Sequence, residues 1–359
     1  MNTTELGIYF YKVLHKTPEK SGEEYITRNI ICSYLKRLPN IEIIFNNTEG
    51  IIAKLSKNST NKFNFGFRVE LDAVETADAT LHHSCGHDAH MAALLAAITY
   101  ISKNYKNYSD NLIFIFQSSE EFGNGAKKMV NILQQLNIVI TNIFALHNAP
   151  EIEPYQIAVK SGPTLSNNVT IHFNVELSSS AHLGTTCNVT HITDIFQKIN
   201  SFNSNEIRLE ISKIVSDGSV SSKPTHIELI LSIRSFNYDL KDLINIEKSI
   251  IYTIKDCECV KKVSVKYLSK HYQIKNSTIL FNRLKQFSNA VFLTAPNSLS
   301  SDDFSEYHAI STNQLYYFVG NLYNDNYKHL HTKYYRINFN FFKTAISSII
   351  FLAYNTKAR

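Results

Sequence analysis

The sequence predicts an α/β protein of two domains, a doubly wound larger domain interrupted by a smaller ferredoxin-like βαββαβ domain. Three observations carry this. Apolar strand-like runs alternate with helical patterns over the first third of the chain. The order then changes to strand, helix, strand, strand, helix, strand, and strands with a long apolar helix return towards the end. The 359 residues suit about two domains at roughly 100–200 residues each.

Residues 65–71 read as a strand, and 86–103 carry apolar residues at helical spacing. Residues 112–117 (LIFIFQ) are apolar on both faces, as a strand covered on both sides requires. A short helix over 125–135 and a strand over 143–147 complete two strand–helix–strand steps, for which parallel pairing follows. Strands over 169–177, 207–215, 225–236 and 262–268, with helices over 190–199 and 240–256, supply the βαββαβ order. Strands over 290–293 and 314–319 and a helix over 338–354 return to the first domain. The expected boundaries are therefore 1–162 and 276–359 for the larger domain and 163–275 for the inserted one.

Composition narrows the function. With 44% hydrophobic and 19% charged residues, the chain is not a disordered one. Its apolar stretches fall short of the roughly 20 residues that span a membrane. Residues 1–6 show no basic region followed by an apolar one, so a cytoplasmic location is expected. The net charge of +5 is scattered, which argues against nucleic acid as a partner. Five cysteines are too few for a disulfide framework in a chain this long. Cys32, on an amphipathic stretch, is assigned to the core, and Cys257 and Cys259 to the surface.

The chemistry concentrates in four segments. His82-His83-Ser84-Cys85-Gly86-His87-Asp88-Ala89-His90 offers thiolate and imidazole, the ligands that Zn²⁺ and its neighbours take, where a loop enters a helix. Glu120 and Glu121 follow the apolar strand 112–117, at the strand ends where open α/β sheets place their sites. One of two such carboxylates can bind metal while the other moves a proton. His147 ends the next strand, and His329 and His331 follow the last one. Donors at three successive strand ends, with one of these later histidines, suit two metals better than one. Hydrolysis of an amide is the natural use of such a pair.

These residues are similar to a known family. Leu14-His15-Lys16-Thr17-Pro18-Glu19 with Glu23-Glu24, Arg68 to Asp72, His83 to His90, Phe116 to Glu121, Gly125-Ala126, His147 with Pro150, Ala181-His182, Arg234, Asp303-Phe304 and Leu330-His331 match in order along nearly the whole chain. The sequence resembles the aminoacylase, hippurate hydrolase and auxin-conjugate hydrolase family of metallopeptidases, which includes N-acetyldiaminopimelate deacetylases.

The resemblance implies two divalent ions per chain, zinc first, with manganese, cobalt or nickel as alternatives. It implies Cys85, His87, Glu121, His147 and His331 as ligands, a metal-bound water as nucleophile and Glu120 as general base. His182 would stabilise the oxyanion, and Arg234, with Ser221, would contact the substrate. By the same resemblance the larger domain is expected to be catalytic and the inserted one a lid, the substrate to be an N-acyl amino acid or a small N-acylated metabolite, and the chain to pair as a homodimer through the lid. His90 and His329 are expected to support rather than ligate. Three departures stand out: Glu70 where the family has Asp, Ser221 where a lid asparagine is usual, and His182 without its preceding glycines. They admit a binding protein on the same fold, or a dipeptidase-like hydrolase, as alternatives. A third reading makes Cys85 a covalent nucleophile with His87 or His90 as base and Asp88 as orienter.

Overall fold

A computed structural model describes residues 1–55, 64–76, 79–108, 111–178, 189–219, 224–323 and 329–354. The chain divides into two compact units. The larger comprises Met1–Thr164, Ile274–Pro296 and Asp303–Arg359, and the smaller Leu165–Gln273 with Asn297–Asp302.

The larger unit opens with α1 (Thr3–Leu14) and α2 (Tyr25–Leu35), then the hairpin β1 (Ile41–Asn47) and β2 (Gly50–Leu55). Asn2 starts α1 with a reciprocal cap, accepting from the Glu5 amide while Glu5 accepts from its own. Next come β3 (Asn64–Glu70), the short pair β4 (Val74–Glu75) and β5 (Leu81–His82), α3 (His87–Lys103), β6 (Asn111–Gln117), α4 (Gly125–Gln135) and β7 (Ile140–Ala149). The strands β8 (Gln156–Ala158) and β9 (Gly162–Leu165) lead out of this run.

The smaller unit is built from β10 (Asn167–Leu177), α5 (Val189–Asn200), β11 (Arg208–Ser216), β12 (His226–Ser235), α6 (Leu240–Lys255) and β13 (Val260–His271). The chain then adds β14 (Ile274–Asn276), α7 (Thr278–Leu284), β15 (Val291–Leu293), β16 (Ser311–Gly320) and α8 (Phe341–Tyr354) to the larger unit.

The larger sheet has eight strands in the order β1-β2-β6-β3-β7-β16-β8-β15. Its centre is parallel, with β3 between β6 and β7 and β16 beside β7. The hairpin β1–β2 adds an antiparallel edge against β6. The chain steps from β3 to one side, to β6, and then back across β3 to β7. This reversal opens a crevice at the carboxyl ends of the strands. The α/β class expected from the alternation is the class observed.

Burial explains the sequence of the central elements. All of β6 from Leu112 to Gln117 is buried, with Phe114 and Phe116 in the same core as Phe65 and Phe67 of β3. Each such ring contributes on the order of 1.5–3 kcal/mol through burial. Helix α3 is buried on nearly every face because it lies between β3 and the helices α1 and α8, so it reads as apolar almost all round.

In the smaller unit the sheet order is β11-β12-β10-β13, all antiparallel. Strand β10 alternates with period two: Val169, Ile171, Phe173, Val175 and Leu177 face the core, where Leu243, Ile250 and Ile254 of α6 meet them. Cys257 and Cys259 close this core and are buried, which corrects their assignment to the surface. A charged-looking Cys-Glu-Cys turn places its two apolar thiols inward and Glu258 between them.

The polar centre of the larger unit is Arg68, a guanidinium with no exposed surface. It pairs with Glu70, donates to Asp303 Oδ1 at 2.5 Å and donates to Gln117 Oε1 at 3.0 Å. Asp303 Oδ2 also accepts the Ala126 amide at 2.8 Å, at the N-terminus of α4. Removing one partner of a buried ion pair leaves an uncompensated charge. Asp303→Ala is therefore expected to destabilise the larger unit by about 3–5 kcal/mol in urea denaturation. A loss below about 1 kcal/mol would show that Arg68 is served well enough without it.

Candidate metal centre

The donors gather at the carboxyl ends of the central strands. Beyond β3, Asp72 and the β4–β5 pair bring the chain to Cys85 and Gly86, and His87 begins α3. Gly86 takes φ +92°, in the left-handed region that favours glycine, and this turn aims Cys85 and His87 to the same side. His147 lies within β7, which runs two residues further than the sequence pattern suggests. His331 sits at φ +60°, and its amide donates to the Ser84 carbonyl at 2.9 Å, so its turn is tied to the Cys85 segment.

The turn after β6 carries the two adjacent carboxylates. Ser119 takes φ +61° and its amide donates to Glu24 Oε1 at 3.0 Å, while Ser118 Oγ donates to Glu24 Oε2 at 2.7 Å. The Glu121 amide donates to Asp72 Oδ2 at 2.9 Å, an oxygen that also accepts from Ser21 Oγ at 2.5 Å. Gly125 is required beside this turn, because a Cβ there would collide with the Ser118 carbonyl. Two buried carboxylates, Glu24 and Asp72, thus fix the backbone on either side of Glu120.

The side chains converge. Cys85 Sγ lies 3.3 Å from His147 Nε2. His87 Nε2 is 3.8 Å from Glu120 Oε2 and 3.8 Å from Glu121 Oε1, and His331 Nε2 is 3.7 Å from that same Glu121 oxygen. Ligand atoms fall within 4.8 Å of one another in the sets Cys85–His87–His147, Cys85–Glu121–His331 and His87–Glu120–Glu121. Among the described residues Glu121 Oε1 is buried without a hydrogen-bond partner. An orphaned carboxylate oxygen facing thiol and imidazole donors fits a divalent cation, and the N, S and O mixture is one that zinc and its neighbours accept.

Hydrogen bonds to the far ring nitrogens orient the histidines. His87 Nδ1 lies 2.9 Å from the Asp72 carbonyl oxygen, and His147 Nδ1 lies 2.8 Å from the Asn148 carbonyl oxygen. Both arrangements leave Nε2 directed at the other donors, as in metal sites where one ring nitrogen binds protein and the other the ion. Burial, with His90 beside it, pushes the His147 imidazole down to about 3. Burial pushes the Cys85 thiol and the Glu121 carboxyl up. Burial opposes charge on His87 as well, but Cys85 and the bond to Asp72 outweigh it and raise that imidazole well above its usual value.

Of the other expected residues, His182 and Ser221 lie outside the described residues. Arg234 is on β12 of the smaller unit, where Nη1 donates to the Leu299 carbonyl at 3.0 Å and lies 3.5 Å from Glu210. His90 is buried against Glu70 and Asn148, without a place in the donor sets. The sequence reading gave no role to Asp72 and Asn148, although both stand beside residues it singled out. Glu70 reaches both Arg68 and His90, so this one carboxylate spans two partners.

Comparison with known proteins gives the same direction. The model of a family described as peptidase family M20/M25/M40 matches residues 66–350. An N-acetyldiaminopimelate deacetylase of Listeria innocua is 32% identical over 164 residues, covering 43% of this chain and 44% of the relative. One from Brevibacillus brevis is 33% identical over 185 residues, covering 48% of each. The chain thus matches somewhat under half the length of these relatives. Among solved structures, the Bacillus subtilis YXEP protein, a dinuclear metal binding peptidase from the M20 family, has the same fold with a TM-score of 0.77 at 18% identity, covering 98% of this chain and 97% of that one. Human carnosine dipeptidase 1 aligns with a TM-score of 0.70 at 13% identity, covering 98% of this chain and 97% of that one.

The raised thiol, carboxyl and imidazole groups give a signed pH dependence. Cys85, Glu121 and His87 each hold a proton more tightly than usual, and each must lose it to bind a cation. Metal affinity is therefore expected to rise with pH through the neutral range, with proton release on binding. Calorimetric titration of Zn²⁺ in buffers of different ionisation enthalpy measures that release. An affinity flat across this range would contradict the assignment.

Proposed function

The chain belongs to peptidase family M20/M25/M40, and on that premise we propose that it is a metal-dependent amidohydrolase. Its substrate in this reading is an N-acyl amino acid or a small N-acylated metabolite. The observation that carries the proposal is the meeting of Cys85, His87, His147, Glu121 and His331 beside a second carboxylate, Glu120. The acyl class is supported by the N-acetyldiaminopimelate deacetylases among the relatives.

Cys85, His87, Glu121, His147 and His331 are the residues that would hold divalent ions, and five donors suit a pair better than a single tetrahedral site. Zinc is the first choice, with manganese, cobalt or nickel able to serve. Bound there, such ions supply Lewis-acid polarisation of the amide carbonyl and make water a nucleophile near neutral pH.

The chain's own contribution is proton transfer and orientation. Glu120 accepts a proton from the attacking water and returns it to the leaving nitrogen, so amide and water become acid and amine with no change of oxidation state. The held turn of Ser119 fixes where that carboxylate acts, since both flanking amides are already engaged. In the same reading His182 stabilises the oxyanion, and Arg234, with Ser221, contacts the substrate. A planar guanidinium suits a carboxylate, and Arg234 is held in place by Leu299 and Glu210. A homodimer through the smaller unit and a cytoplasmic location complete the proposal. The exposed Ile211, Ile214 and Val215 of the edge strand β11 support the former.

Glu120→Gln should retain metal and lose at least about a hundredfold in kcat, the scale of a placed base. Glu121→Gln should instead lower metal affinity. Mass-spectrometric assay of metal-loaded protein on N-acetyl amino acids, with metal analysis of each variant, separates these effects. Binding of the panel without turnover would favour a binding protein, and identical behaviour of the two variants would end the division of labour.

A further inference from the structure

Three segments that carry candidate ligands meet behind the metal centre on one buried carboxamide. We propose that Asn148 is a positioning residue that sets the spacing of Cys85, His147 and His331, an inference that rests on the metal-centre reading above. Asn148 follows His147 in β7. Its Nδ2 donates to the Cys85 carbonyl at 2.6 Å and lies 3.2 Å from His90 Nε2. Its Oδ1 accepts from the Tyr335 hydroxyl at 2.6 Å.

Tyr335 belongs to the turn that carries His331. Its amide donates to the Thr332 carbonyl at 3.0 Å, and Thr332 Oγ1 donates to the His329 carbonyl at 2.9 Å. The Tyr335 hydroxyl also accepts from Asn321 Nδ2 at 3.2 Å, next to the end of β16. The backbones bearing Cys85 and His331 are therefore joined through one side chain, whose own backbone neighbour is His147.

The chemistry of the position calls for a primary amide. The Cys85 carbonyl accepts, and so does His90 Nε2, because its Nδ1 faces the carboxylate of Glu70 at 2.9 Å and its Nε2 takes the Asn148 amide at 3.1 Å. The Tyr335 hydroxyl donates from the opposite side. Asparagine meets both demands, while aspartate would set an oxygen against two acceptors. Close approach also matters: a Cβ on Gly86 would lie 2.5 Å from Asn148 Nδ2 and 2.6 Å from the Tyr335 hydroxyl. The carboxamide thus packs directly against the backbone between Cys85 and His87.

The test is a Co²⁺ titration of the full chain, following the cobalt absorption spectrum and the thermal midpoint of the metal-free protein. Wild type is expected to bind about two Co²⁺ with a thiolate contribution to the spectrum. Asn148→Asp should weaken Co²⁺ binding by about 10–100-fold and alter the thiolate band. Tyr335→Phe keeps the ring and loses only the hydroxyl, so it covers the case in which Asn148→Asp fails to fold. It should weaken binding by about tenfold. Wild-type affinity and spectrum in a folded Tyr335→Phe and Asn148→Asp would overturn the inference while leaving the metal centre intact. Absence of Co²⁺ binding by wild type would instead overturn the metal-centre reading itself.

Discussion

The burial of Arg68 is the constraint on which the rest of the larger unit depends. A cation withdrawn from water costs several kcal/mol unless its partners are close and well aimed. Here the partners are Glu70 on the same strand, Gln117 at the end of β6, and Asp303 from the far part of the sequence. Two carboxylates around one guanidinium leave an excess negative charge. The Ala126 amide at the start of α4 lies against Asp303 and offsets part of it. In satisfying one charge, the fold fixes the ends of two central strands and the start of a helix. Those ends are where the donors stand.

From Glu70 the order continues through buried hydrogen bonds. Its second oxygen meets His90, His90 meets Asn148, and Asn148 meets Cys85 and Tyr335. On the other side, Asp72 reaches both His87 and the Glu121 amide, and Glu24 holds the Ser118–Ser119 turn. Nearly every candidate ligand is thus aimed by a buried partner one step further back. His331 differs, since its ring is half exposed and its segment is tied by its own amide to Ser84 and through Tyr335 to Asn148. One donor on a strand, one at a helix start and two on connecting segments, with a half-exposed donor on a further turn, leave the cluster fixed on one side and accessible on the other.

Much of this was legible in the sequence because the physics is local. The strand 112–117 is apolar on both faces, and it is buried on both. The period-two alternation of β10 marked a one-faced sheet, and the core confirms which face. The Cys85 to His90 segment stood out because thiol, imidazole and carboxylate seldom crowd so closely without a shared task. What stayed illegible depends on partners far along the chain. Nothing near Asp303 says that it will meet Arg68, and nothing near Tyr335 says that it will meet Asn148. Cys257 and Cys259 misled because their charged neighbour suggested a surface turn, while the core of the smaller unit needed two small apolar groups there. Single residues that act through distant contacts leave no period and no spacing to read.

The central claim is that Cys85, His87, Glu121, His147 and His331 form one metal centre. X-ray absorption at the zinc edge of reconstituted protein tests it most directly. The account predicts a sulfur shell near about 2.3 Å alongside nitrogen and oxygen near about 2.0–2.1 Å, with the sulfur lost in Cys85→Ala. A shell of oxygen and nitrogen alone, unchanged by Cys85→Ala, would contradict it.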